Sequence, residues 1–257
     1  MVVKRCCRAI IVAGCVAVAL AVPRSAAAAP VGVELLLLVD VSGSVDSSEY
    51  MLQKQGYVNA FQNPTIQNQI ASIANGIAVG YAEWSNGSSQ QLLVNWTQLT
   101  DATSANNFAT SLANAPRGSI GFTAPGSAIN WGAPLFGTNG FESNHRVIDV
   151  SGDGRQNTGA NTSMAAANAF ASGIRVNGLP ILGQANLQAW YLDNIVTPGG
   201  GFLTVANDFN DFERALAEKI SREIATPVPE PTTIALVGMG LLGGARRLRR
   251  RALRART

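Results

Sequence analysis

Polar and apolar residues along this chain alternate between two kinds of segment. Val33 to Val41 is nearly continuously apolar, the mark of a strand covered on both faces. Ser47 is placed to cap a helix in which Tyr50, Lys54, Tyr57, Val58 and Phe61 recur at helical spacing before Pro64. Gly76 to Trp84 and Gln91 to Trp96 flank Ser85-Asn86-Gly87-Ser88, and Asn-Gly between two such runs predicts a hairpin. Short helices are predicted over Asp101 to Ala113 and over Ser127 to Phe136, with Pro134 ending the second early. Arg146 to Ser151 and Ile174 to Leu182 read as strands around a small-residue helix, Ala160 to Ser172. Asn186 to Val196 reads as helical and Gly201 to Ala206 as a short strand. A last helix is expected from near Asp208, where acidic residues suit the positive end of the helix dipole, to Ile224.

Strands that alternate with helices predict an α/β fold: a doubly wound, mainly parallel sheet with one antiparallel edge strand, in a single domain over residues 30–226. The two ends fall outside that pattern. Residues 1–29 combine Lys4, Arg5 and Arg8, an apolar stretch from Ala9 to Val22 and the run Ser25-Ala26-Ala27-Ala28-Ala29, the order of a secretory signal peptide. Val12-Ala13-Gly14-Cys15 offers a second reading, a lipobox with Cys15 as the lipidated residue. Against lipidation, the apolar stretch is short before Cys15 and continues well past it.

Residues 227–257 begin with a proline-stiffened linker and continue through apolar residues from Ile234 to Leu242 into a tail with seven arginines. A basic end after an apolar segment stays on the cytoplasmic side of a membrane. Thr232 to Ala245 is short for a permanent span, which needs about 20 apolar residues. A transient, processed anchor suits it better.

These ends decide the meaning of the charge. The formal net charge is +3, from 19 basic and 16 acidic residues. Eleven of the basic residues lie in the two ends, which hold a single acidic residue, Glu230, so residues 30–226 keep 8 basic and 15 acidic residues. The exported domain is therefore acidic, and no basic patch is left to grip nucleic-acid phosphates. All three cysteines (Cys6, Cys7, Cys15) lie in the leader, so the domain folds without disulfides. With His145 as the only histidine, expected on the surface at a strand start, zinc sites and Cys/His or Ser/His/Asp catalysis are excluded. No glycine-rich phosphate loop is present.

The chemistry concentrates in three loops. Asp40-Val41-Ser42-Gly43-Ser44 closes the first strand with one carboxylate and two hydroxyls. Ligands in open α/β sheets bind beyond the carboxyl ends of strands. Thr123, just before a predicted helix, and Asp153, just after an apolar strand, are placed to join that edge. Each element alone has an ordinary explanation as a cap or a turn. Asp46, Asp149 and Ser151 are read as capping or packing residues, and Glu83 and Trp84 as rim residues that could add specificity.

In this order, Asp-x-Ser-x-Ser, Thr123 and Asp153 resemble the metal-ion-dependent adhesion site (MIDAS) of von Willebrand factor type A domains. The resemblance spans residues 30–226, and the segment Val147-Ile148-Asp149-Val150-Ser151-Gly152-Asp153-Gly154 is similar to a bacterial exported subgroup of unknown function, DUF1194. It implies a metal site of Asp40, Ser42, Ser44, Thr123 and Asp153: hydroxyls of Ser42 and Ser44 on the ion, Thr123 direct or through water, the two aspartates mainly through water. Mg²⁺ suits such neutral oxygens, with Mn²⁺ or Ca²⁺ as alternatives, and an open position would take a partner's carboxylate. Gly43 and Gly154 are expected to let the backbone turn close to the ion. The resemblance also implies that ligand binding couples to a shift of the last helix.

Pro229-Glu230-Pro231, the apolar segment and the arginine tail resemble the PEP-CTERM sorting signal of exopolysaccharide-producing Gram-negative bacteria, which implies processing by an exosortase. The expected product is an exported, non-enzymatic binding module at the cell surface, outer membrane or extracellular matrix. Its alternatives are a passive matrix component whose metal staples loops and, less supported, a metal-assisted hydrolase using Asp40 or Asp153 as base.

Overall fold

The computed structural model describes residues 27–225. The leader with Cys15, the Pro227–Pro231 linker and the C-terminal sorting segment lie outside the described residues. In chain order the elements are β1 (Ala29–Pro30), β2 (Val33–Asp40), α1 (Ser47–Gln62), α2 (Pro64–Ser72), β3 (Ile77–Trp84), β4 (Gln90–Leu99), α3 (Ala102–Asn114), α4 (Pro125–Gly132), a 3-10 turn at Ala133–Gly137, β5 (Phe141–Glu142), β6 (Arg146–Gly152), α5 (Thr162–Ala171), β7 (Ile174–Pro180), α6 (Leu187–Asn194) and α7 (Phe212–Ile224). The main sheet has the order β4-β3-β2-β6-β7, and β1 and β5 form a small parallel pair of their own. Only the β3–β4 pairing in the main sheet is antiparallel, which is the predicted edge hairpin.

Strand β2 is fully buried along its length because helices cover both faces of the sheet. Leu35 and Leu37 face one core with α1, α2, α3 and α7, while Leu36 and Leu38 face the other with α4, α5 and α6. Burying each such leucine contributes about 1.5–3 kcal/mol. Two of these helices pack closely because α1 carries Gly56, where a Cβ would come within 2.8 Å of the Phe212 ring on α7.

Several boundaries differ from the sequence reading, each for a local reason. Asp46, not Ser47, caps α1: its Oδ1 accepts from the backbone of Ser48 and Glu49, and Glu49 Oε2 accepts in return from Asp46 N at 2.8 Å. Pro64 does not only end a helix; it opens α2, capped by Asn63. Asn86-Gly87 does connect two strands, but neither residue has a positive φ, and the Asn86 side chain is spent on the Thr123 loop. The 201–206 segment is an irregular edge rather than a strand, joined by isolated parallel bridges from Leu203 to Gly178 on β7 and from Ala206 to Ile181 just past it. Residues 208–211 form a turn, so α7 starts only at Phe212. His145 is half-buried rather than on the surface, and burial pushes its pKa down.

Candidate metal centre

Strand β2 pairs with β3 on one side and β6 on the other, so strand order reverses at β2. Its carboxyl end lies at the switch point, where a crevice opens between the following loops. All five predicted residues meet there. Asp40 Oδ1 accepts from Ser42 N at 2.8 Å, which curls the loop back over the strand end. Ser42 Oγ lies 3.2 Å from Ser44 Oγ and 3.3 Å from Thr123 Oγ1. Ser44 Oγ donates to Asp153 Oδ1 at 2.7 Å. Three hydroxyls thus form a chain, Thr123 to Ser42 to Ser44, that ends on the Asp153 carboxylate after β6, while the Asp40 carboxylate at the end of β2 holds the Ser42 backbone.

Neighbouring groups hold each of them. Gln53 Nε2 donates to Asp40 O at 2.9 Å and fixes the strand end. Gly43 N donates to Gly121 O at 2.8 Å, which lays the 118–123 loop over the first loop. Thr123 is not a helix cap: Ala124 stands at the cap position of α4 and makes no side-chain bond. The threonine is instead clamped by Asn157, whose Oδ1 accepts from Thr123 N at 2.8 Å and whose Nδ2 donates to Thr123 Oγ1 at 3.4 Å. Asn86 Oδ1 accepts from Phe122 N at 2.7 Å and steadies the same loop. Arg117 Nη2 donates to Val45 O at 2.6 Å while its guanidinium sits 4.7 Å from the Tyr50 ring centre, tying that loop to α1.

The glycine that matters is not the expected one. At Gly43 and Gly154 a Cβ would meet only ordinary contacts, and neither has a positive φ. At Gly152 a Cβ would fall 2.7 Å from Asp40 Oδ2 and 2.9 Å from the Tyr191 hydroxyl. Its missing side chain is what admits the Asp40 carboxylate between β2 and β6. Glu83 and Trp84 are not rim residues either. Trp84 is fully buried in the core. Glu83 accepts from Tyr50, Tyr81 and Gly118 N, so its carboxylate is spent on anchoring the loop after α3.

The electrostatics leave one charge unanswered. Asp40 is fully buried, and its Oδ2 has no hydrogen-bond partner. Burial, and then the nearby Asp153 carboxylate, push its pKa from 3.8 up to about 8. Burial raises Asp153 as well. The Tyr191 hydroxyl is also buried without a partner. A buried carboxylate oxygen without a donor, beside a second carboxylate and three hydroxyls, is a donor set that fits a hard divalent cation. Among the described residues, no group of three or more His, Cys, Asp or Glu could hold a metal, so the hydroxyls are essential to this one. The crevice outside it is lined by Ser44, Thr123, Asp153, Arg155, Asn157 and Gln184 and encloses roughly 510 Å³.

The sheet order and the placement of helices on both of its faces are those of a von Willebrand factor type A fold. Solved structures agree. The proximal thread matrix protein 1 of the mussel byssus superposes with a TM-score of 0.59 at 18% identity, over 76% of this chain and 47% of that one. A von Willebrand factor type A protein from Catenulispora acidiphila gives 0.52 at 13% identity, over 75% of this chain and 42% of that one. The pilus adhesin SpaC from Lactobacillus rhamnosus GG gives 0.54 at 18%, over 75% of this chain and 30% of that one. At these identities the likeness is one of fold, and this chain spans about half the length of the mussel protein or less of the others. No curated protein sequence matches the chain. Residues 30–228 match the family described as protein of unknown function (DUF1194), and the chain belongs to it. Residues 227–251 match the PEP-CTERM protein-sorting motif, the mark of an exported protein handled by an exosortase.

Proposed function

We propose that the domain is a metal-dependent binding module that recognises a partner's carboxylate at the cell surface or in the extracellular matrix. In this reading residues 1–29 are removed on export, 30–226 form the mature domain, and 227–257 sort it. The observation that carries it is Asp40 Oδ2, buried and without a donor, at the strand end whose loop brings the hydroxyls of Ser42, Ser44 and Thr123 together. A divalent ion supplies the missing counter-charge; Mg²⁺ is the first candidate, and one mussel structure has zinc in its own MIDAS motif. Ser42, Ser44 and Thr123 would hold the ion, with Asp40 and Asp153 orienting those hydroxyls and balancing its charge. Neutral hydroxyl donors leave such an ion electron-poor, so it favours an anionic group from outside. An acidic partner fits, and Ile120 and Phe122, both largely exposed on the adjacent loop, offer that partner an apolar contact.

A titration of the protein with Mg²⁺, Mn²⁺ and Ca²⁺, followed by thermal unfolding, tests the reading. Wild type is expected to gain stability with at least one ion, and Asp40→Ala and Ser44→Ala are expected to gain none. No response from wild type to any of the three ions sinks it.

A second reading is a passive matrix component in which the ion only staples loops, supported by the fold shared with a byssus matrix protein. Capture of the protein on its host's matrix separates the two. Loss of capture with chelator favours recognition through the ion, and capture indifferent to chelator favours the passive role.

A further inference from the structure

On the opposite face of β6 from α5, a second set of ionisable groups is sealed inside the protein. Asp149 on β6, Asn177 on β7 and Lys219 on α7 are wholly buried, and Glu223 on α7 is 1% exposed. Lys219 and Glu223 are one helical turn apart and so share a face. Lys219 Nζ lies 2.5 Å from Asp149 Oδ1 and 2.5 Å from Glu223 Oε1. Asn177 Nδ2 donates to Glu223 Oε1 at 2.9 Å, while Asn177 Oδ1 accepts from Phe202 N at 3.0 Å. The Phe202 ring lies 5.9 Å from the ammonium, and Tyr57, whose hydroxyl bonds Ser151, packs from α1.

An ordinary buried ion pair accounts poorly for this arrangement. One ammonium faces two carboxylates, so the set is short of one positive charge. Neither Asp149 oxygen makes a hydrogen bond, the 2.5 Å approach of Lys219 Nζ to Oδ1 included, and Glu223 Oε2 meets no donor. Burial raises both carboxyl groups, Asp149 against the pull of Lys219 and Glu223 to about 7 with Asp149 adding to the rise. Burial thus favours a proton on the carboxyl groups, and in an apolar site an ammonium and a carboxylate in contact can pass to amine and acid. The groups then present are a nucleophilic amine, a carboxyl carbon beside it, and a second carboxyl touching the amine to move protons.

We propose that Lys219 and Asp149 condense to an intramolecular amide that ties α7 covalently to β6. The Lys219 Nζ lone pair attacks Asp149 Cγ in its acid form and the N–C bond forms. Glu223 takes a proton from Nζ and delivers it to the departing hydroxyl, so the C–O bond breaks and one water leaves. Nothing is oxidised or reduced, and Glu223 ends as it began. Exclusion of water and the loss of two buried charges drive the condensation forward. Asn177 is the positioning residue, holding the Glu223 carboxylate against Nζ.

Tryptic peptide mapping of the purified full chain by mass spectrometry decides the matter. Trypsin would normally release 147–155 and, by cutting after Lys219, 215–219. The expected product is 147–155 joined to 215–222, lighter than the sum of its two parts by one water, with no cut at Lys219. Linear 215–219 together with unmodified 147–155 overturns the proposal. A species joined at Asn177 with loss of ammonia overturns Asp149 as the electrophile. Glu223→Gln is expected to fold, by circular dichroism, but to yield only the linear peptides; full linkage in that variant overturns the role of Glu223. Because the wild-type map decides first, failure of a variant to fold leaves the proposal testable.

Discussion

Two pairs of acidic side chains lie on either side of this sheet's central region, and they differ in where their positive charge comes from. Asp149 and Glu223 are buried beneath α7 with Lys219 between them. Asp40 and Asp153 stand at the carboxyl edge with hydroxyls between them and no cation of the chain in contact. Burial raises the pKa of all four carboxyl groups. The inner pair is closed to solvent and shares the single ammonium of Lys219, so it serves the fold. Of the outer pair, Asp153 opens onto a crevice and the buried Asp40 is unanswered, so in the proposed reading its cation would come from outside. The same physics suits one site to a structural role and, in the proposed reading, the other to an ion.

Removing the internal cation breaks this comparison most severely. Lys219→Met removes the ammonium, and with it any amide to Asp149, leaves two buried carboxyl groups facing each other, and is expected to cost about 3–5 kcal/mol or more. Urea denaturation with and without Mg²⁺ measures it. The loss should be equal in both, because the inner cluster does not depend on the outer ion. The amide proposed above would also hold α7 in place, against the expectation that binding shifts the last helix. A wild-type protein whose α7 amides exchange alike with and without ion fits the tethered helix.

Ion removal acts next, and only on the outer pair. At an ion concentration 100 times Kd, binding stabilises by about 2.7 kcal/mol, which chelator should abolish. The effect depends on pH with a definite sign. Without ion, the folded-state pKa of Asp40, about 8, lies above its ordinary 3.8. Its burial is therefore tolerated fully below about pH 4, and stability is lost as pH rises through about 8, by up to about 1.4 kcal/mol per pH unit. A bound ion favours the carboxylate and removes that loss. Unfolding temperatures in chelator and in Mg²⁺ should diverge as pH rises, and parallel curves would contradict the assignment. Asp40→Asn should remove the divergence and make the chelated protein less sensitive to pH.

Much of the outer site was legible because its residues announce themselves locally. Asp40, Ser42 and Ser44 stand together after an apolar run, and Asp153 follows another; the strand order then had only to bring the two ends side by side. The supports were not legible. Asn157 and Asn86 look like loop residues, and only the folded 118–123 loop gives them Thr123 and Phe122 to hold. Tyr191 lies inside a short helix with no local cue to the Asp40 carboxylate. Glu83 and Trp84 were misplaced because a strand end is buried or exposed according to the loop that covers it, here the one anchored at Gly118. The inner cluster was missed for a related reason. Lys219 and Glu223 four residues apart look like a solvated helical ion pair, and only the register of β6 under α7 puts Asp149 against them. The sheet itself was read correctly from its runs of apolar residues, whereas α2 was hidden behind a proline that both ended one helix and began the next.

Loosening a support should weaken the outer site without touching the inner one. Asn157→Ala deletes both side-chain bonds to Thr123 and is expected to reduce ion affinity by about 10–100-fold. Isothermal titration with Mg²⁺ or Mn²⁺ reads this directly. Unchanged affinity would mean that Thr123 is held well enough by the backbone bonds from Asn157 and Thr158 to its carbonyl.

The smallest effect tests which carboxylates belong to the site. Asp46 follows Ser44 by two residues, and by sequence alone it is as near the hydroxyls as any ligand could be. In the fold its Oδ1 is spent on two backbone N–H groups of α1, where a carboxylate also complements the positive end of the helix dipole. Asp46→Ala should therefore cost about 1 kcal/mol in urea denaturation and leave the midpoint of the ion titration where it was. Asp153→Ala, also a single carboxylate removed beside Ser44, should do the reverse: it relieves the repulsion on Asp40, costs little stability in chelator, and abolishes the response to ion. If both variants shifted the ion midpoint equally, charge near the loop rather than the hydrogen-bonded chain of hydroxyls would govern binding, and the distinction between a built site and an acidic edge would be lost.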